Sequence, residues 1–365
     1  MGTDLKSIRQ KVEAGQNLSF DDGLCLMDTN DLLWLGETAN IVRRRKNGKK
    51  AHYIINRHIN HTNVCVNKCR FCAFQKEEGS EGAYTMELDE VMRKAQECYS
   101  DDIAEFHIVG GLHPDLPYSY YRGMLEKLHS RYPTVHLQAF TAVEIDHLSR
   151  ISGMTLSKTL EDLKSAGLGS LPGGGAEIFN GAIRKKICPD KISGERWLEV
   201  METAHGLGIR SNATMLYGHV ESAEDRIDHL IRLRELQAKT GGFMAFIPLA
   251  FHPLNTEIEE KRFTTGQMDL RMLAVSRLML DNFDHIKAFW IMISPALSQL
   301  SLHFGVDDMD GTVIEEKITN SAGGQSGQDM PVEFLEKMIS EAGFLPVRRD
   351  TLYNAVDKKE KAEAV

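Results

Sequence analysis

Asn60-His61-Thr62-Asn63-Val64-Cys65-Val66-Asn67-Lys68-Cys69-Arg70-Phe71-Cys72-Ala73-Phe74 gathers three of the chain's six cysteines, Cys65, Cys69 and Cys72, in the order C-x3-C-x2-C. Thiolates are soft ligands that favour iron-sulfur clusters, zinc and copper(I), and three this close in sequence can wrap one face of a single metal centre. No fourth cysteine lies nearby. A closed structural zinc takes four protein ligands, whereas a 4Fe-4S cube held by three leaves one iron open to a small molecule. Two plainer readings stand beside this one: a zinc site completed by His58 or His61, and three reduced surface thiols with no metal, an oxidation liability.

Outward from the loop the chain alternates. A short strand over 53–55 runs into it, and the runs 104–109, 135–140, 169–171, 209–215, 244–249 and 287–292 each read as a strand. Helical stretches near 86–99, 118–131, 156–166, 195–206, 223–238 and 267–282 separate them. Ser222 with Asp225 and Thr264 with Gln267 look like capping boxes, and Ser294-Pro295 puts proline at a first helical position. Strand then helix, repeated, indicates parallel strands joined by right-handed crossovers. Pro248 interrupts one run and weakens its centre as a strand.

Periodicity does not separate a doubly wound sheet from a barrel. The polar residues do, because they crowd the strand exits: Gly110, Gly111 and His113; Thr141 and Glu144; residues 172–175 and Glu177; Tyr217, His219 and Glu221; His252 and Asn255; Ser294. One rim receiving chemistry from every strand is the arrangement of an α/β TIM-type (β/α) barrel, full or partly open. Residues 1–50 read as an N-terminal helical cap or oligomer contact, with apolar Leu32, Leu33, Leu35, Ile41 and Val42 at helical spacing. Residues 51–305 make the barrel core. Residues 306–365 form a C-terminal extension closing it, with turn-rich stretches at 305–311 and 320–324, a helix near 332–342 leading into 344–350, and a frayed end at 358–365.

Composition excludes several function classes. At 365 residues, with 42% hydrophobic and 26% charged residues, the chain has ample core for one barrel. A net charge of -9 argues against a nucleic-acid partner, and no run of 18 apolar residues offers a membrane span. The start lacks the apolar core of a signal peptide, and the other cysteines, Cys25, Cys98 and Cys188, read as buried singletons. A cytoplasmic protein is expected.

The cysteine spacing, followed by Phe-Cys-Ala-Phe, resembles the signature loop of the radical S-adenosylmethionine (SAM) enzymes. The resemblance implies that Cys65, Cys69 and Cys72 hold a 4Fe-4S cluster. Its open iron chelates the amino and carboxylate groups of SAM, and reduction splits the sulfonium to give a 5'-deoxyadenosyl radical. The family places a Gly-Gly-Glu-like segment against the methionine amino group. Gly110 and Gly111 match it, but Leu112 stands where the glutamate would be, so a main-chain carbonyl is what carries over. Phe71 and Thr214 are further candidate cofactor contacts. Glu177, in Leu171-Pro172-Gly173-Gly174-Gly175-Ala176-Glu177, is available for a ribose hydroxyl or an amine. That loop lacks the G-x-G-x-x-G spacing and any following Lys-Ser or Lys-Thr of a nucleotide triphosphate site.

The blocks at 61–65, 110–114, 171–177, 213–221 and 247–253 narrow the resemblance to the branch of the family that serves the futalosine route to menaquinone. What this implies is addition of the adenosyl radical to the enol ether 3-[(1-carboxyvinyl)oxy]benzoate, aryl migration and loss of carbon dioxide, with SAM consumed as co-substrate. Implied partners are that small-molecule aryl enol ether, an electron donor such as flavodoxin or ferredoxin, and a second copy of the chain in a homodimer. His219, His252 and Arg184 are the candidates for balancing the substrate's two carboxylates. Each has a plainer alternative: a tight turn at Gly110-Gly111, a solvated glutamate, structural histidines, a solvated helix face for Arg184, Lys185 and Lys186. The cyclase of the same route and the deazaflavin-forming synthase share these blocks, and an iron-sulfur or zinc redox sensor that does not cleave SAM is the non-enzymatic reading.

Overall fold

Seven strands share one parallel sheet in sequential order, which is what repeated strand-helix units joined by right-handed crossovers produce. The computed structural model describes residues 4–97, 99–259, 262–324 and 329–356. Cys98 and residues 358–365 lie outside them. The strands, in chain order, are β1 (Lys50–Ile54), β2 (Asn56–Ile59), β3 (Glu105–Ile108), β4 (His136–Ala139), β5 (Ser170–Leu171), β6 (Arg210–Tyr217), β7 (Phe243–Ala250), β8 (His285–Ile286), β9 (Asp308–Gly311) and β10 (Leu345–Arg348). β2 to β8 make the large sheet, a partly open α/β barrel, and β10-β1-β9 a second, three-stranded parallel sheet. The segment 308–314 bridges both edges of the large sheet, Lys287 to Asp308 on the β8 side and Arg57 to Ile314 on the β2 side.

Several expected boundaries move, each for a local reason. The strand expected at 53–55 straddles a break: β1 belongs to the small sheet, and the chain changes sheets at Ile55 before β2 opens the barrel. The strand expected at 287–292 ends at Ile286, and Trp290–Ile293 is a short helix whose Trp290 indole donates to the Gly311 carbonyl at 2.9 Å. The turn-rich stretch at 305–311 contains β9. The cap expected at Thr264 is Thr265, which accepts from the Met268 N–H and starts helix Gly266–Met279 one residue later than a cap at Thr264 would. The capping box at Ser222 and Asp225 and the proline at the first turn of Pro295–Ser301 are present. Pro248 sits within β7 opposite Met215, beyond the two residues, Ala245 and Phe246, that β8 pairs, so its missing N–H faces no strand.

Three helices precede the barrel: Leu5–Glu13, Phe20–Asp28 with a Ser19–Asp22 capping box, and Leu32–Asn47. The third lies against Gly266–Met279, and the second against Ala223–Thr240 and Gly266–Met279. Leu35 and Val42 are buried there, whereas Leu33 points to solvent. Arg43 is fully buried and donates to the carbonyls of Val306, Gly48 and Lys50, tying the third helix to the turn before β1 and to the segment that leads into β9. Among the described residues no helix is long and apolar enough to cross a membrane.

Candidate active site

The cysteine loop is held at the exit of β2 by hydrogen bonds that its own polar residues prescribe. The Thr62 hydroxyl accepts from the Val64 N–H (3.1 Å) and reaches the Tyr84 carbonyl (2.8 Å). The Asn63 amide clamps the returning strand-like arm at Gly82 and Tyr84. His61 points away from the loop into an aromatic nest of Tyr120, Tyr121 and Phe140, where burial holds its pKa down at about 3. The exit of β3 buttresses the loop from the other side. Gly111 N–H donates to the Thr62 carbonyl at 2.8 Å, Val66 N–H to the Leu112 carbonyl at 2.9 Å, and Leu112 N–H to the Cys65 Sγ at 3.3 Å. A Cβ on Gly111 would sit 2.2 Å from the Val64 oxygen, so this contact requires glycine.

Cys65, Cys69 and Cys72 line a cavity of about 300 Å³ inside the barrel mouth, and no described cysteine is in a disulfide. Burial pushes the thiols of Cys69 and Cys72 up, opposed mainly by the Lys191 ammonium. Among the described residues the His, Cys, Asp and Glu donors that come within 4.8 Å of one another as a trio are His52, His285 and Asp307, not the cysteines. A single tetrahedral ion with Zn–S bonds of about 2.3 Å needs its sulfurs closer than that; a cluster distributes its thiolates over separate irons. The donor set and its spread therefore fit a cluster better than one ion.

Phe71, Gly110, Gly111, Glu177, Thr214 and His252 line the same cavity. Two expected site residues do not. Arg184 is buried and its guanidinium is wholly engaged by main-chain oxygens, including Ala176, Ile178 (3.1 Å) and Ile192 (2.5 Å). It braces the 175–178 loop and has no donor left for a substrate. His219 is turned inward too: Nε2 donates to the Leu216 carbonyl at 3.1 Å, and Nδ1 lies 3.1 Å from Glu221, which also takes the N–H groups of Gly218 and His219. His252 alone of the three reaches the cavity. Its Nε2 is committed to the Met292 carbonyl at 2.9 Å, leaving Nδ1 without a partner among the described residues.

Other groups in the cavity were not among the expected site residues. Lys191 lies 2.6 Å from Glu177 and 5.1 Å above the Phe71 ring; burial opposes its charge, but Cys69 and Glu177 hold its pKa above the ordinary value. Glu144 takes the N–H groups of Gly110 (3.1 Å) and Thr141 (2.7 Å), and burial still lifts its pKa to about 7. Deeper, His58 stacks on His107 at 4.4 Å beside Asn212, and Lys287 meets Asp310 at 3.1 Å. The available clue was polar residues at inward positions of strands, where a barrel core is normally aliphatic.

Comparison with known proteins agrees with this geometry. The model of the radical SAM superfamily matches residues 59–233, and that of the CofH/MqnC C-terminal region matches residues 240–362. A crystal structure of methylornithine synthase superposes with a TM-score of 0.74 at 17% identity, covering 93% of this chain and 97% of that one, and so shares the fold. The chain belongs to the radical SAM enzymes. Aminodeoxyfutalosine synthase of Thermus thermophilus is 48% identical over 98% of this chain and 97% of its own length, and that of Streptomyces coelicolor 43% over 97% and 95%. Within the superfamily, the chain is a member of the aminodeoxyfutalosine synthase family.

Proposed function

We propose that the chain joins the 5'-carbon of SAM to the enol ether carbon of 3-[(1-carboxyvinyl)oxy]benzoate, with aryl migration and release of carbon dioxide and methionine, to give aminofutalosine. The observation that carries this reading is a trio of cysteines, with no fourth among the described residues, lining one cavity together with Glu177, Lys191, His58 and Lys287. Cys65, Cys69 and Cys72 are the residues that would hold a 4Fe-4S cluster, which when bound supplies an open iron to chelate SAM and the electron that splits its sulfonium.

The protein's own part is positioning and exclusion of water. The Gly110-Gly111 main chain, fixed by Glu144 and Thr62, lies beside the cysteine loop where the methionine end of SAM would dock. Glu177, held by Lys191, is placed for the ribose hydroxyls, with Phe71 and Thr214 flanking. The packing of residues 1–50 on the barrel's helices and of 308–314 across its edges supports reading them as a cap and a closing extension around a core of 51–305. An acidic one-electron carrier, flavodoxin or ferredoxin, would reduce the cluster, and an oxygen-sensitive site suits the cytoplasm.

Anaerobic reconstitution with iron, sulfide and a reductant, followed by mass spectrometry of the nucleoside products, tests the proposal. An adenosyl carbon joined to the aryl substrate is the expected result. Free 5'-deoxyadenosine with a cyclised product points to the cyclase of the same route, and intact SAM refutes the enzyme reading altogether.

A further inference from the structure

Among the described residues lining the cavity, the lysines and arginines are two, Lys191 and Lys287. They act on different neighbours. Lys191 pairs with Glu177 at 2.6 Å and lies 5.1 Å above the ring of Phe71, inside the cysteine loop, whereas Lys287 pairs with Asp310 at 3.1 Å. Lys191 therefore belongs to the cysteine end. Lys287 stands apart from the cluster ligands and needs its own explanation.

Its placement is tightly determined. Lys287 follows β8 directly, its N–H donates to the Phe246 carbonyl at 2.9 Å, and the next N–H, of Ala288, donates to Asp308 at 2.8 Å. Its side chain is 9% exposed, and of its three ammonium donors one has an acceptor among the described residues, Asp310 Oδ1 at 3.1 Å. Asp310 adopts φ 62°, a left-handed conformation that a non-glycine residue holds only under constraint from its surroundings. Here the constraint is explicit: the Asp310 N–H is bound at 2.6 Å by Asp308, itself fixed at 2.6 Å by Arg349. Strained backbone thus keeps a carboxylate under an ammonium inside the cavity.

Around this pair lies unused hydrogen-bonding capacity. The His58 ring makes no hydrogen bond among the described residues, and burial, with His107 and Lys287 beside it, keeps it neutral. Asn212, 4% exposed, donates from its Nδ2 to the Gln138 Oε1 at 3.4 Å, and its Oδ1 has no partner among the described residues. A buried ammonium with two open donors, next to a neutral imidazole, is a receptor for a small oxyanion.

We infer that Lys287, oriented by Asp310, binds the aryl carboxylate of the substrate and is the residue that selects a benzoate over an uncharged aryl enol ether. The inference rests on the function proposed above. The enol ether must lie at the cysteine end, next to the adenosyl group, so the carboxylate on the ring is the group farthest from the reacting carbon. It then reaches the end of the cavity where Lys287 stands.

The test compares the acid with its carboxamide, 3-[(1-carboxyvinyl)oxy]benzamide, using reconstituted holoenzyme with SAM, in the wild type and in Lys287→Met. Both equilibrium binding and kcat/KM are read. The wild type should prefer the acid by on the order of 100-fold, the loss that follows removal of one partner of a buried charge pair. Lys287→Met should lose that preference through a raised KM for the acid, with the amide within about 3-fold and the KM for SAM unchanged. Lys287→Gln, which can still donate to Asp310, gives the same readout if the methionine variant does not fold. A wild type indifferent to the amide, or a variant that keeps the preference, overturns the assignment. Tight, acid-selective binding without an adenosylated product would leave Lys287 in this role and refute the proposed reaction instead.

Discussion

Arg184 shows how a single side chain can look like a ligand group and serve as a brace. Its guanidinium binds the carbonyls of residues 175, 176, 178 and 192, which would otherwise be buried without donors. Arg184→Met should lower stability by about 3 kcal/mol, the cost of orphaning several buried acceptors, while the fraction that stays folded keeps its KM for the aryl substrate. Thermal melts beside steady-state kinetics check both halves. Glu144 makes a pH-dependent counterpart. Its carboxyl has an ordinary pKa of 4.5 and is lifted by burial to about 7 in the folded chain. The native state therefore binds the extra proton, so stability falls as pH rises from about 4.5 to about 7 and is level above that, a change on the order of 3 kcal/mol. Glu144→Gln, which mimics the protonated acid, should flatten the slope in melts between pH 5 and pH 8. The three cysteines could be read from spacing alone, because a ligand set is local in sequence. Lys191, Lys287 and Asn212 could not, since what marks them is a partner, or the lack of one, that only the folded chain brings near.

At the scale of elements, the alternation of strands and helices was legible because each unit carries its own period and its own caps. Errors fell where an apolar run changes structure midway. The run at 287–292 holds the end of a strand and a helix, and nothing in its composition marks Trp290 as the residue that turns to cap Gly311. Helices Ala142–Ser152 and Gly181–Ile187 were missed, although Thr141 and Glu144 form a capping box that was visible. The contact between the β3 exit and the cysteine loop is where an element controls chemistry. Gly111→Ala would drive a methyl group into the Val64 carbonyl and against the Cys65 Cβ, 3.1 Å away. Iron and sulfide content after reconstitution should drop sharply while the far-ultraviolet circular dichroism is retained; full cluster loading in this variant would contradict the packing argument.

For the molecule as a whole, the buried charges concentrate where the two sheets meet. Asp307 is bound by Arg277 and His285, and Asp308 by Arg349 at 2.6 Å, all within the seam between β1, β8 and β9. Burial alone would raise both aspartate pKa values, but these cationic partners hold them below the ordinary range. Their contribution to stability is therefore complete above the usual carboxylate pKa and is lost only as pH falls below it. Arg349→Met leaves Asp308 charged and unpaired and should cost about 3–5 kcal/mol, seen as a lowered denaturation midpoint in urea with the slope unchanged.

The same seam has a consequence for how the chain is made. A polypeptide emerging from the ribosome has completed β2 to β8 before residues 308–314 are available to bridge their edges. β1 waits longer still, because its partner β10 begins at Leu345. Until then the nascent chain exposes two unpaired strand edges, a hazard for aggregation during synthesis, but it also leaves the barrel mouth unsealed. Glu316, Ile318, Thr319 and Ala322, which complete the lining of the cavity, thus come late in synthesis, and the cavity takes its final form only when this part of the chain has folded onto the barrel.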